Sequence, residues 1–299
     1  SPLYSPIKRI FINLSTFVSN IILMSNVNNK NISLEILIST KERDNLDFLC
    51  NIFLNNNSHS NSVLIINQTD NIHFSCPTTD NIKLININEI GLSKSRNLAI
   101  ESATADICLV ADDDVVYEKD FDKIIINAFC ENPKADIITF MMKDFNGNLF
   151  KNYPKNKLHN KKTLSFVNSV VIAFKRDSIV SNNIQFDENF GLGSVFQTSD
   201  EYVFLRNALD LNLNIIFKNK VILSHDINSS GKDAGSDRIL FAKGAFFYKY
   251  HKVFSFLKLA HYVYLMFKFK YISFNQIIPK YLLGVKGIIK YINLNNENK

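Results

Sequence analysis

The spacing of apolar positions divides the chain into three stretches. Ile7, Ile10, Phe11, Leu14, Phe17, Val18, Ile21 and Ile22 recur at helical spacing, so residues 1–31 predict an amphipathic helix followed by an Asn-rich linker, Asn26–Asn31. Its apolar face either packs on the rest of the chain or meets a partner or membrane. From Ile32 onward, short apolar runs alternate with helical patterns. Strands are expected over 33–39, 62–66, 81–87, 106–111, 136–142, 166–175 and 214–223, and helices over 42–53, 93–103, 118–131 and 200–209. This alternation predicts an α/β domain over 32–235, a Rossmann-like, mainly parallel sheet flanked by helices. Ligands then belong beyond the carboxyl ends of the strands. Asn146-Gly147 is a hairpin signal, and the basic loop Lys151–Lys162 has the character of a segment that moves over a site. Residues 236–299 predict a helical extension.

Charge separates that extension from the rest. The chain carries a formal net charge of +6, but Arg238–Lys299 contains eleven Lys or Arg against a single acid, Glu297, so the remainder is net acidic. The basic residues alternate with Phe, Tyr, Leu and Ile, which suits a membrane surface and speaks against nucleic acid. A helical pair packed on the sheet is the other reading. The longest apolar-aromatic run, Val253–Phe267, is interrupted by Lys258 and His261 and falls short of the roughly 20 residues that span a bilayer. Cys50, Cys76, Cys108 and Cys130 are widely spaced, with no CxxC pair, and read as buried free thiols of a reducing, cytoplasmic compartment. No secretory signal pattern is present in the sequence.

The chemistry concentrates at one strand end. Ile107, Leu109, Val110 and Ala111 lead directly into Asp112, Asp113 and Asp114, where three ionised carboxylates would repel one another. A divalent cation resolves that repulsion, and hard oxygen ligands suit Mg²⁺ or Mn²⁺ held together with substrate phosphates. An acidic cluster ahead of the next helix is the alternative.

Gly91-Leu92-Ser93-Lys94-Ser95-Arg96-Asn97, followed by Ala103 and the Ile107–Asp114 strand end, resembles the Gly-x-x-x-x-Arg-Asn helix and Asp-x-Asp motif of family 2 glycosyltransferases. The resemblance implies a GT-A fold, with a nucleotide-binding half over 32–115 and an acceptor-binding half over 116–235. It implies Mn²⁺ or Mg²⁺ on Asp112 and Asp114, with Asp112 also on the nucleotide side and Asp113 behind them. It further implies donor contacts from Lys94, Arg96 and Asn97. Ser39–Arg43 is similar to the family's first nucleotide loop, so Thr40 and Arg43 are candidates for the base or ribose; an ordinary helix cap is the other reading. The second strand ends in Asn67-Gln68-Thr69-Asp70 in place of the family's acidic pair, leaving the Gln68 amide to read a uracil edge and UDP as the expected nucleotide.

Downstream, Gly191-Leu192-Gly193, Thr198-Ser199-Asp200-Glu201 and Arg206 resemble the family's acceptor block. The implied general base is Asp200, with Glu201 as the alternative and Arg206 as the ion-pair partner that orients the base. His225 matches a late histidine that reaches the metal or diphosphate, although a lone histidine is also compatible with a structural role. Lys232 and Arg238 are expected to close over the diphosphate. The implied activity is inverting transfer of a sugar from a nucleotide-sugar to a saccharide or lipid-linked saccharide, in O antigen or capsule assembly, by an enzyme peripheral to the inner face of the cytoplasmic membrane. Two rivals remain. A sugar-1-phosphate nucleotidyltransferase needs a Gly-rich loop that Ser39–Arg43 lacks, and a membrane-bound module with a degenerate site would bind without turnover.

Overall fold

Leu, Ile and Val fill the strand positions, and buried parallel strands demand such continuous apolar runs because both faces are covered. The computed structural model of the chain describes residues 32–56, 61–71, 80–226 and 234–297. The helix expected within residues 1–31 lies outside them, as do Cys76 and Lys232. Residues 33–299 form one unit. Its strands are β1 Leu34–Lys41, β2 Ser62–Gln68, β3 Ile82–Ile87, β4 Ile107–Asp112, β5 Val116–Tyr117, β6 Ile137–Lys143, β7 Ile172–Lys175 and β8 Ile215–Ser224. The helices are α1 Phe48–Ile52, α2 Leu92–Ser102, α3 Phe121–Glu131, α4 Arg176–Ser181, α5 Asp200–Asp210, α6 Asp237–His251, α7 Ser255–Lys268 and α8 Ile277–Glu297.

The sheet runs β3-β2-β1-β4-β7-β6-β8-β5. β1 pairs in parallel with both β2 and β4, and β6 with β8, whereas β7 runs antiparallel between β4 and β6. The order therefore reverses at β1, and the crevice beyond β1 and β4 is the switch point where such sheets hold ligands. Register places Ser39 opposite Asp112 there.

Three expected elements differ. The helix expected over 42–53 begins only at Phe48. Glu42 adopts φ 51° and donates its N–H to the Gln68 carbonyl, while the Asn67 side chain clamps both the N–H and the carbonyl of Arg43. These bonds hold Arg43 outside a helix. The helix expected from Glu118 starts at Phe121, because the Glu118 N–H continues a ladder to the Ile222 carbonyl. The strand expected over 166–175 is limited to Ile172–Lys175, preceded by two 3₁₀ turns. The loop expected to move over the site is instead tied to β8 through its Lys157 carbonyl and the Leu158–Ile216 bridge. Of the thiols, Cys108 is buried, whereas Cys50 and Cys130 are exposed.

The C-terminal helices share a core with the second half of the sheet domain: Phe190, Phe196 and Val203 pack with Ala242, Ala245 and Tyr291. Small residues allow α6 and α8 to cross closely. A Cβ on Gly244 would overlap the Gly284 carbonyl, and one on Gly287 would overlap the Phe241 carbonyl. Gly244→Ala gains about 1 kcal/mol of helix propensity, yet the overlap reverses the sign. We expect a net loss of about 1–3 kcal/mol, read as a lower denaturant midpoint with an unchanged slope.

Candidate active site

The three aspartates share a strand end but not a set of partners. Asp112 closes β4 and accepts a hydrogen bond from Arg96 Nη2 at 2.9 Å. Asp113 turns to β1, where Thr40 Oγ1 donates to it and Arg43 reaches it through Nε at 2.8 Å and Nη2 at 2.6 Å. Asp114 is 62% exposed and lies 3.2 Å from His225 Nε2. The sheet creates that last contact. β5 follows the aspartates at once and pairs antiparallel with the end of β8, Val116 opposite Ser224, which carries His225 to Asp114. Hydrogen bonding from His225 holds the Asp114 carboxyl below its ordinary pKa, and the same bond lifts His225 to about 8. Burial raises the Asp112 pKa against the opposing pull of Arg96.

Arg96 joins the aspartates to the second half of the domain. It projects from α2, is 3% exposed, and donates through Nη1 to Asp200 Oδ2 at 2.5 Å and through Nη2 to Asp112 and to Ser169 Oγ at 3.0 Å. Phe186 stacks under the guanidinium at 5.4 Å. Asp200 opens α5, and its approach to α2 requires glycine at 191. There φ is +102°, and a Cβ would press within 3.0 Å of Ser93 Oγ and 3.2 Å of the Asp200 side chain. Ser93 Oγ donates to the Phe190 carbonyl at 2.6 Å, so the start of α2 is fastened to this loop. Ser199, the residue before Asp200, takes φ 69°, and Lys243 of α6 donates to its Oγ at 2.9 Å. Glu201 is half-buried; burial, and then the neighbouring Asp200 charge, push its pKa up to about 7.

These groups face one cavity of about 760 Å³. Its lining includes Thr40, Gln68, Arg96, all three aspartates, Asp200, Glu201, His225 and Arg238. The structure thus brings together both candidate bases, the three aspartates and the late histidine. Arg238 lines the cavity and donates to the Gln197 carbonyl at 2.9 Å. The Gln68 amide is engaged by the protein, accepting from the Gly91 N–H at 2.6 Å and donating to Ser95 Oγ at 3.4 Å. Lys94 and Asn97 do not line the cavity. Lys94 pairs with the exposed Glu89 at 2.7 Å, and Asn97 is buried in a two-point clamp on the Phe186 backbone. Arg206, expected to orient the base, pairs with Asp210 at 2.8 Å and lies over Tyr250. Six residues advance a helix by roughly 240°, so Arg206 faces another side from Asp200. The ion-pair partner of Asp200 is Arg96.

Several residues at the site escaped the sequence reading. Ser39 Oγ and Asn168 Oδ1 line the cavity, buried and without a hydrogen-bond partner among the described residues, as groups awaiting a ligand are. Ser39 opens the Ser39–Arg43 loop, in which the resemblance pointed to Thr40 and Arg43 instead, and nothing in the sequence context of Asn168 marks it. Lys243 carried a faint signal, a lysine between Ala242 and Ala245 on the buried face of α6.

The donor set also bears on the metal that the aspartates suggested. Among the described residues no group of three His, Cys, Asp or Glu is arranged to hold an ion. Arg96 bonds one oxygen of Asp112 and Arg43 one oxygen of Asp113, while Asp114 and His225 stand 3.2 Å apart as an oxygen and a nitrogen donor on the exposed side of the cluster. Such a pair fits Mg²⁺ or Mn²⁺, which are commonly completed by substrate phosphates and water.

No curated protein sequence matches the chain. Solved structures similar to it include residues 1–349 of S. aureus TarS, at TM-score 0.54 and 14% identity over 87% of this chain and 80% of that one. The same TarS fragment in complex with UDP-GlcNAc gives TM-score 0.54, and in complex with UDP 0.51, each covering 81% of that chain. These likenesses establish a shared fold. Residues 22–190 match the family model described as Glycosyl transferase family 2, a segment that takes in both the Arg96 helix and the aspartate strand end. With more than half its length so matched, the chain belongs to glycosyltransferase family 2 and has the GT-A architecture, a mainly parallel sheet flanked by helices with a helical C-terminal region.

Proposed function

We propose that the protein is an inverting glycosyltransferase that moves a sugar from a UDP-sugar to a saccharide acceptor. One observation carries the reading: Asp114 with His225, and Asp200, line the same cavity, joined through Asp112 and the buried Arg96. A displacement at an anomeric carbon needs one group to accept the acceptor's proton and others to stabilise the departing diphosphate. Asp200 takes the first role. Arg96 holds it through Oδ2 and so fixes the direction from which it meets the acceptor hydroxyl. Glu201 remains the second candidate, favoured by a pKa near neutrality, where a base works best. Proton transfer to the carboxylate, attack of the acceptor oxygen and loss of UDP balance the step and invert the anomeric centre.

On the donor side, Thr40 and Asp113 line the nucleotide end, Arg43 holds Asp113 from outside the cavity lining, and Gln68 forms a wall of the base site. Asp114 and His225 would hold the divalent cation, and Asp112 stands next to them on the ribose side. The ion, when bound, neutralises charge on the leaving diphosphate. Arg238 adds a further cation at the rim. Structures of the TarS fragment in complex with UDP-GlcNAc and with UDP support UDP as the nucleotide. The basic, aromatic C-terminus supports a lipid-linked acceptor and a cytoplasmic, membrane-peripheral role in surface polysaccharide assembly such as O antigen or capsule. Family membership leaves the nucleotidyltransferase reading without support.

Incubation with UDP-GlcNAc and other nucleotide-sugars is expected to release UDP only with Mn²⁺ or Mg²⁺ present. Asp114→Ala should remove the metal dependence together with nearly all turnover while the fold persists, since Asp114 is 62% exposed. Equal nucleotide binding with and without metal, and no turnover of any donor, would instead identify a non-catalytic binding module.

A further inference from the structure

More than half of the large hydrophobic side chains exposed among the described residues lie between Val253 and Ile289. They are ordered by the helices that carry them. On α7, Leu259, Val263 and Met266 point into the bundle, and Leu257 and Tyr264 stand on the opposite side, 70% and 54% exposed. On α8, Gly284, Gly287, Ile288 and Tyr291 are buried, while Ile278, Leu282 and Ile289 form an outward stripe, spaced by one turn and then by two. Phe269, Tyr271 and Phe274, in the segment between the two helices, continue the exposed surface.

The charges on this surface have one sign. Lys258, Lys268, Lys270, Lys286 and Lys290 are exposed around the apolar stripes, and no acidic residue occurs between Arg238 and Glu297. A soluble protein rarely leaves so continuous an apolar surface uncovered. Aromatic and aliphatic side chains flanked by lysines are what an interfacial helix presents to lipid headgroups and the upper acyl region. No helix among the described residues is long and apolar enough to cross a membrane, so the helices would lie on it.

The same helices reach the cleft from behind. Tyr262 Oη donates to the Ala234 carbonyl at 3.1 Å, and Lys280 Nζ donates to the Gly235 carbonyl at 2.5 Å. The Tyr271 carbonyl lies directly against Gly235. Residues 234–236 lead into α6, whose first turn places Arg238 and Ile239 on the cavity. A surface seated on lipid would therefore hold the rim of the cleft close to the bilayer.

We propose that the outward faces of α7 and α8, with the segment between them, are a docking surface for an anionic phospholipid bilayer. The occupant follows from charge complementarity: exposed lysines without acidic neighbours favour negative headgroups, each by a factor of about five near the surface. The proposal deepens the reading of a lipid-linked acceptor and stands or falls separately from it, because vesicle binding needs neither donor nor turnover.

Flotation of the full chain with vesicles of phosphatidylcholine alone, and of phosphatidylcholine and phosphatidylglycerol in equal parts, tests it. Binding is expected to the anionic vesicles only and to weaken with added salt. Lys286→Glu with Lys290→Glu should weaken it by more than about tenfold, and Leu257→Asp with Ile278→Asp should do likewise. All four residues are exposed, and melting temperature and donor binding should remain those of the parent protein. Equal binding to both vesicles, unaltered binding by both double variants, or no vesicle binding accompanied by self-association that Leu257→Asp and Ile278→Asp abolish would each overturn the proposal. The last outcome would assign the surface to a second copy of the chain.

Discussion

Asp200→Asn is expected to lower kcat by a factor on the order of 10² to 10⁴ while leaving UDP-sugar binding close to that of the parent. The substitution keeps the shape of a side chain that Arg96 holds at 2.5 Å and an oxygen that can still accept from Nη1, while it removes the negative charge and with it the capacity to accept a proton. Donor affinity should persist because the groups assigned to the diphosphate, Asp114 and His225, meet the cavity through β4, β5 and β8 and not through α5. Single-turnover kinetics with saturating donor, alongside a nucleotide-binding titration, separate the two effects. Glu201→Gln is the matched control. Should Asp200→Asn turn over at the parental rate while Glu201→Gln fails, the base is Glu201, and its pKa near 7 predicts activity that declines as pH falls through neutrality.

Arg96→Leu should produce the largest loss of stability of any single change at the site. Its guanidinium is 3% exposed and neutralises the buried Asp200 and the partly exposed Asp112. Removing one member of a buried ion network leaves uncompensated charge and costs about 3–5 kcal/mol, a fall in Tm on the order of 10 °C. Arg96→Lys is the informative companion. A lysine restores the charge but not the planar fork that bonds two carboxylates and Ser169 at once. Thermal melting should therefore recover in large part, while kcat stays depressed because Asp200 is no longer held in one direction. Recovery of both would reduce Arg96 to a charge-balancing role.

The parts of this protein legible in its sequence are those written by local pattern. Apolar runs bounded by polar turns marked β1, β2, β4, β6 and β8, since a strand covered on both faces must be apolar throughout. The abrupt change from Ala111 to Asp112 marked a strand end, and the glycine and arginine spacing of Gly91–Asn97 tied it to a family. Local pattern misled where a distant residue overrode it. Glu42–Asp47 looks helical, yet Asn67, 24 residues beyond Arg43, clamps that residue and delays the helix to Phe48. The family resemblance implies Arg206 as the partner of Asp200, but the helical turn sends it to Asp210.

The sequence by itself determined an α/β chain with three carboxylates at one strand end, an acidic pair opening a later helix, and a basic, aromatic tail. Only the tertiary structure decided how those carboxylates divide: Asp112 to Arg96, Asp113 to Thr40 and Arg43, and Asp114 to His225. It also joined Arg96 to Asp200 across 104 positions, and through it the donor and acceptor sides. The physical reason is that burial enforces partnership. A charged group withdrawn from water must find its complement in whichever strand or helix the sheet order brings beside it, and strand order is a property of the whole fold rather than of any neighbouring residues.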